Sequence, residues 1–168
     1  MKKVDLDNYE KPTRFIKFKV GDNPVRILSD IYLYRKLGIR AGGRYVPHIL
    51  RDGQPIPDLF KGHTENPKLQ YGAIVLDRAT EDIKILEVGP ILGDQIAQML
   101  KAKSGEYKKH DLVVSRKGEG LRDTTYKVRW AEQDVPLPKG LSKDSAEYQY
   151  QLKYFEEASD AGADEASE

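Results

Sequence analysis

Apolar and polar residues alternate with a period of two at several points along this chain, and each such run predicts a strand with one buried face. Ile16, Phe18 and Val20 alternate with Lys17 and Lys19. Gly21-Asp22-Asn23-Pro24 is a turn cluster and Val25–Leu28 resumes the pattern, so the two runs predict a hairpin. Ile31–Arg35 predicts a further strand, with Tyr32 and Tyr34 on the face opposite Ile31 and Leu33. Regular patterning then fails from Leu37 to Pro67, where five glycines and four prolines interrupt the chain, although Arg44–Leu50 predicts a short strand. Tyr71–Leu76 and Ile83–Val88 form the clearest strand pair. Gly89-Pro90 ends it, and Ile91–Ala102 switches to helical spacing, with Leu92, Ile96, Met99 and Leu100 on one stripe. Asp111–Arg116 and Thr124–Trp130 predict two more strands, joined by a glycine-containing hairpin loop. Ser142 is placed to N-cap a helix reaching about Ala158, with Tyr148, Leu152 and Phe155 on its apolar face.

These elements predict a mainly β protein with minor α: an OB-fold-like open five-stranded β-barrel with an extra hairpin, one internal helix and a C-terminal helix. The expected organisation is a flexible N-terminal arm over 1–14, the β domain over 15–135, a linker and helix over 136–155, and a disordered acidic tail over 156–168. Length agrees, since 168 residues suffice for one domain with a real core.

Charge changes the picture once it is divided. The 28 Lys and Arg nearly cancel the 27 Asp and Glu. Six of those acids, Glu156, Glu157, Asp160, Asp164, Glu165 and Glu168, lie in the last thirteen residues, which contain no base. Without them, 28 cations face 21 acids, a net charge of +7 on residues 1–155. A basic body and an acidic tail each set up a local field, and a tethered tail competes with any polyanion for the body's basic groove.

Catalytic chemistry has few residues to draw on. Cysteine is absent and histidine occurs only at 48, 63 and 110, which fits a reducing cytoplasm and leaves no thiolate zinc site or thiol nucleophile. His48 and His63 lack the spacing of a zinc site even with Asp52 and Asp58 beside them. The Gly118-Glu119-Gly120 run has no helix behind it to hold a pyrophosphate. No P-loop, HExxH or GxSxG occurs, so no enzyme, cofactor or metal is expected. Met1-Lys2-Lys3-Val4-Asp5 has no apolar stretch after its lysines, and a cytoplasmic location is the expectation.

Basic and aromatic residues carry more information. Tyr32, Tyr34, Arg35, Lys36, Arg40, Arg44, Tyr45 and Arg51 interleave rings with cations, the combination that single-stranded nucleic acid requires for base stacking and phosphate neutralisation. A second basic set, Arg116, Lys117, Arg122, Lys127 and Arg129, lies on the last strand pair and its loop. There the alternation places Tyr126, Val128 and Trp130 toward the core and Lys127 and Arg129 outward.

The stretch from Tyr107 through Asp111-Leu112-Val113-Val114, Arg116-Lys117-Gly118-Glu119-Gly120 and Thr124-Thr125-Tyr126-Lys127-Val128 resembles the helix-destabilising single-stranded DNA-binding proteins of tailed bacteriophages. Upstream, Gly21-Asp22-Asn23, Val25-Arg26-Ile27-Leu28, Ala73-Ile74-Val75, Asp77 and Ile83–Val88 follow in the same order, so the resemblance covers residues 15–130. It implies an OB-type barrel that coats single-stranded DNA in replication and recombination, with an acidic C-terminus that recruits replication proteins. By position it assigns DNA contact to Arg35, Arg40, Arg44, Lys117, Arg122 and Lys127, and stacking to Tyr34 and Tyr45. Some relatives hold a structural zinc through cysteine and histidine between the early and middle strands. This chain has no cysteine there, so residues 37–67 are expected to be ordered otherwise or by DNA. The competing expectations are a small metal-dependent DNA-processing enzyme and a protein-interaction module of a phage assembly.

Overall fold

A computed structural model describes residues 14–41, 43–50, 55, 56, 58 and 67–167, with backbone alone at 39–41, 44–46 and 157–167. Among them the strands are β1 (Gly21–Ile27), β2 (Tyr32–Ala41), β3 (Arg44–Leu50), β4 (Lys68–Asp77), β5 (Asp82–Val88), β6 (Asp111–Lys117) and β7 (Thr125–Trp130). Helix α1 (Pro90–Ala102) separates β5 from β6, and α2 (Ala146–Ser167) follows β7. The seven strands form one open antiparallel sheet in the order β3-β2-β4-β1-β6-β7, with β5 paired to β4 off that path. Mainly β architecture with two helices is therefore what the alternating pattern predicted.

β4 organises the sheet because it is apolar on both faces. Ala73, Ile74, Val75 and Leu76 are all fully buried. β5 runs along one edge, from Tyr71↔Val88 to Asp77↔Asp82. The other edge is shared. β1 pairs with its C-terminal end, Val25↔Asp77 to Ile27↔Val75, and β2 with its N-terminal half, Tyr32↔Gly72 to Lys36↔Lys68. At the break between β1 and β2, Leu28 N–H donates to Ile74 O at 2.9 Å and the Ser29 hydroxyl accepts from Ile74 N–H at 2.8 Å. That buried hydroxyl replaces a ladder carbonyl, so no backbone donor is orphaned.

Ala73 and Val75 face one core with Val25, Ile27, Leu86, Leu112 and Val114, closed by Leu92, Ile96 and Leu100 of α1. Ile74 and Leu76 face the other core with Tyr34, Ile49, Ile83 and Ile85, closed by Tyr148, Tyr154 and Phe155 of α2. A period of two on the strand and near four on each helix thus puts one helix on each side. Each helix seats through a glycine, Gly93 within α1 and Gly72 on β4 beneath α2. A Cβ on Gly93 would lie 2.1 Å from the Tyr71 ring, and one on Gly72 would lie 2.6 Å from Phe155 and from the Tyr34 hydroxyl.

Four expectations are corrected. Phe15–Val20 is not a strand of a hairpin: it makes one isolated bridge, Phe15↔Ile85, and Val20 is exposed. Gly21–Pro24 is not a turn but the first half of β1, paired with β6 from Gly21↔Arg116 to Pro24↔Val113. The reason is Asn23, whose side chain accepts from Lys19 N–H at 2.9 Å and donates to Lys19 O at 2.8 Å, which moves the bend upstream. Second, the strand begun at Tyr32 does not stop at Arg35. β3 offers a ladder out to Ala41↔Arg44, and pairing with this next strand outweighs the local breaking effect of Gly38.

Third, α2 begins at Ala146 rather than after Ser142. Ser142 Oγ accepts from Asp144 N–H at 3.2 Å, and Ser145 Oγ accepts from Ser142 N–H at 2.8 Å, so these serines build the preceding turn. Fourth, α2 does not end near Ala158 but runs to Ser167; the alanines and glutamates there are good helix formers continuing an anchored helix. Of the N-terminal arm, residues 1–13 lie outside the described residues. Arg14 is held: its Nε donates to Gln151 Oε1 at 2.9 Å, and its guanidinium stacks 4.4 Å from the Tyr150 ring centroid.

Candidate nucleic-acid interface

Tyr32, Tyr34 and Lys36 of β2 point toward α2, and this decides the environment of three expected site residues. Tyr34 is buried; its ring packs edge-on against Phe155 at 5.9 Å and its hydroxyl donates to Glu87 Oε2 at 2.7 Å. Tyr154 of α2 donates to the same oxygen at 2.6 Å, and Lys36 Nζ pairs with Glu87 Oε1 at 2.6 Å. The Lys36 ammonium also lies 5.5 Å from the Phe15 ring and 5.7 Å from the Tyr154 ring. Tyr32 packs on Phe155 at 4.8 Å. Burial, followed by the Glu87 carboxylate, pushes the Tyr34 phenol well above its ordinary range, and burial raises Tyr32 likewise. The expectation of Tyr34 as an open stacking ring and Lys36 as a free phosphate contact is therefore corrected. Both belong to the seam between β2 and α2, with Glu87 as its polar centre.

Leu33 and Arg35 of β2 face the other way. Both are exposed, and the Arg35 side chain has no hydrogen-bond or ion-pair partner among the described residues. Side chains of Arg40, Arg44 and Tyr45 lie outside the described set, although their β2–β3 register is given: Arg40↔Tyr45 and Ala41↔Arg44. Arg51 and Glu168 lie outside the described residues altogether, as do the side chains of Glu157, Asp160, Asp164 and Glu165. Glu156 is exposed at the end of the covered face, near enough to Tyr32 to help raise its phenol.

The second basic set comes together at the β6–β7 hairpin. Its register runs from Leu112↔Trp130 to Lys117↔Thr125. Tyr126, Val128 and Trp130 are half-buried against the core, while Thr125, Lys127 and Arg129 are exposed, as the alternation predicted. Arg129 pairs with Asp22 at 2.7 Å, and Asp22 is held below the usual carboxylate range by the Ser115 hydroxyl first and by Arg129 second. Arg116 is a structural residue: it donates to Phe18 O at 2.8 Å and Glu119 O at 3.3 Å, tying the hairpin to the segment before β1. Lys117, Arg122 and Lys127 are exposed and have no ion-pair partner among the described residues.

Phe18 and Tyr126 went unrecognised as site residues because each occupies the apolar side of an alternating run. At this end the core thins out. The two rings meet at 6.1 Å and are half-buried, with Lys17 and Lys19 exposed on either side of Phe18. The cation-aromatic-cation order of Lys17-Phe18-Lys19 was the available signal. Such an arrangement offers flat faces beside exposed cations.

Between the two regions lies a buried ionic node. Asp111 Oδ1 accepts from Arg26 Nε at 2.8 Å and Arg78 Nε at 3.1 Å, and its Oδ2 accepts from Val135 N–H at 2.9 Å. It fixes the path from β7 toward α2. Its neighbour Asp134, bound by Asp111 N–H and then by His110 at 2.6 Å, is held below the ordinary carboxylate range. Among the described residues no group of three His, Asp or Glu is arranged to hold a metal ion, and no helix is long and apolar enough to cross a membrane. No protein-family model matches the chain, and no curated protein matches it.

Proposed function

We propose that this chain is a non-enzymatic single-stranded DNA-binding protein of the OB type that coats DNA without strong sequence preference during phage replication and recombination in the host cytoplasm. The observation that carries this reading is the β6–β7 end: Lys17, Lys117, Arg122 and Lys127 are exposed on the hairpin and the segment before β1, whose Tyr126 and Phe18 rings meet at 6.1 Å, and none of the four is neutralised by a described carboxylate. Cations in that state gain most from phosphates, and rings beside them accept any base. Arg35 extends the set on the open face of β2.

The acidic terminus belongs to the same proposal. Five of its six acids fall within α2, which packs across β3, β4 and β5 beside the basic β2–β3 pair. In this reading the terminus competes with DNA for the basic surface and, once displaced, recruits replication proteins. The experiment is fluorescence anisotropy of labelled oligo-dT against duplex of equal length over a salt series, with the full chain and a version ending at Phe155. Preference for the single strand with a steep salt slope is the expected result, and tighter binding by the shortened chain is the expected effect of the tail. Absence of binding at low salt would overturn the function. Equal binding by both forms would remove the competing tail and leave the function.

A further inference from the structure

We infer that Leu121, at the tip of the β6–β7 hairpin, is a base-contacting wedge that enters between neighbouring bases of a bound single strand. The inference rests on the single-stranded DNA reading above and assigns a residue to the salt-independent part of that binding.

Gly120–Asp123 is a tight turn closed by Asp123 N–H donating to Gly120 O at 3.3 Å, so Leu121 and Arg122 occupy its two central positions. The turn is braced from below. Gly118 has φ +90°, and a Cβ there would lie 2.2 Å from Asp123 O, so the two arms of the loop touch backbone to backbone. Thr124 donates its hydroxyl to Gly120 O, and Arg116 ties Glu119 O and Phe18 O to one guanidinium. A loop held this way projects its central side chains in a fixed direction. Leu121 projects fully: its relative exposure is 103%, the highest of the large apolar residues described.

An isolated exposed leucine needs no explanation on a mobile surface. Here it is at the apex of a braced turn, beside Arg122 and beyond the last ladder rung, Lys117↔Thr125; Lys117 and Arg122 are both without described ion partners. Glu119 and Asp123 offset these two charges within the loop. The tip's own contribution is therefore apolar, and the long-range attraction falls to the wider set with Lys17 and Lys127. Apolar side chains driven between base steps are a known way to hold unstacked nucleic acid, and a single strand offers its base faces at low unstacking cost. That wider set of cations favours a polyanion over a protein pocket as the occupant.

The test uses the full chain with Leu121→Ala, Leu121→Phe and Lys117→Ala, titrated with oligo-dT carrying one 2-aminopurine over a salt series. Leu121→Ala is expected to weaken binding by about 5–30-fold at every salt concentration with an unchanged salt slope, and to reduce the 2-aminopurine signal of the bound strand. Leu121→Phe is expected to restore both. Lys117→Ala is expected to lower the slope and leave the bound-state signal intact. Because Leu121 packs on nothing, its thermal unfolding should match that of the parent chain, so a loss of affinity is not a loss of fold. Parental affinity and signal in Leu121→Ala would overturn the wedge while the function stands. Failure of the parent chain itself to bind oligo-dT would overturn the function and the wedge together.

Discussion

Rings and cations meet in two regions of this molecule, and the regions differ in what the cations touch. Under α2, Lys36 reaches Glu87 at 2.6 Å, and two tyrosine hydroxyls complete the same carboxylate. At the β6–β7 end, Lys117, Arg122 and Lys127 have no such acceptor among the described residues, and Phe18 and Tyr126 are only half-buried. A sequence window that interleaves Tyr with Lys and Arg is therefore two kinds of object. Where the fold supplies a buried carboxylate, the cluster is cohesive and holds a helix down. Where it supplies none, the charge remains available to a ligand.

The comparison breaks most visibly if the α2 seam proves dispensable. Phe155→Ala removes the ring that touches Tyr32, Tyr34 and Gly72 and should cost about 3–5 kcal/mol in urea unfolding. A loss below 1 kcal/mol would mean that α2 is not part of the folded body. Next, Lys36→Ala should cost about 1–3 kcal/mol by leaving a mostly buried carboxylate under-satisfied, with no change in the salt slope of oligo-dT binding. A reduced slope would instead place Lys36 on the phosphates.

Alkaline pH probes the same seam. The phenols of Tyr34, Tyr32 and Tyr148 are raised in the folded chain, chiefly by burial. The unfolded chain therefore loses these protons first as pH rises. Stability should hold up to about pH 10 and then fall by about 1.4 kcal/mol per pH unit for each phenol still protonated. Phenolate absorbance should rise together with loss of α2 helicity, and Tyr34→Phe should make the decline shallower. Ionisation of all the tyrosines near pH 10 with the helix intact would contradict the buried seam. The smallest effect on stability belongs to the other region. Lys117→Ala and Arg122→Ala should each change stability by less than about 0.5 kcal/mol and lower the oligo-dT salt slope by about 0.7.

Legibility followed range. The β4–β5 and β6–β7 pairs and α1 were readable because their partners are neighbours in sequence and their periods are unbroken. The continuation of β2 past Leu37 was not, although its partner β3 begins just after Ala41, because Gly38 and Pro47 interrupt the alternation on the two strands; among the described residues Leu37 packs with Leu50 and Ile56. The hairpin expected over 15–28 failed at a single side chain, Asn23, whose bonds to Lys19 relocate the bend. Among the candidate site residues, outward Lys127 and Arg129 followed from strand period alone. That Arg129 is neutralised by Asp22, 107 positions away, did not.

What the sequence by itself determined was the class of the fold, the division into a basic body and an acidic end, and which side of each regular strand is apolar. Those properties depend on residue type and local period, which act over a few neighbours. Only the tertiary structure decided which charges are spent inside the protein. A salt bridge such as Lys36–Glu87 or Arg26–Asp111 joins residues 51 or 85 positions apart, and electrostatic availability depends on such distances in space, which no local pattern encodes.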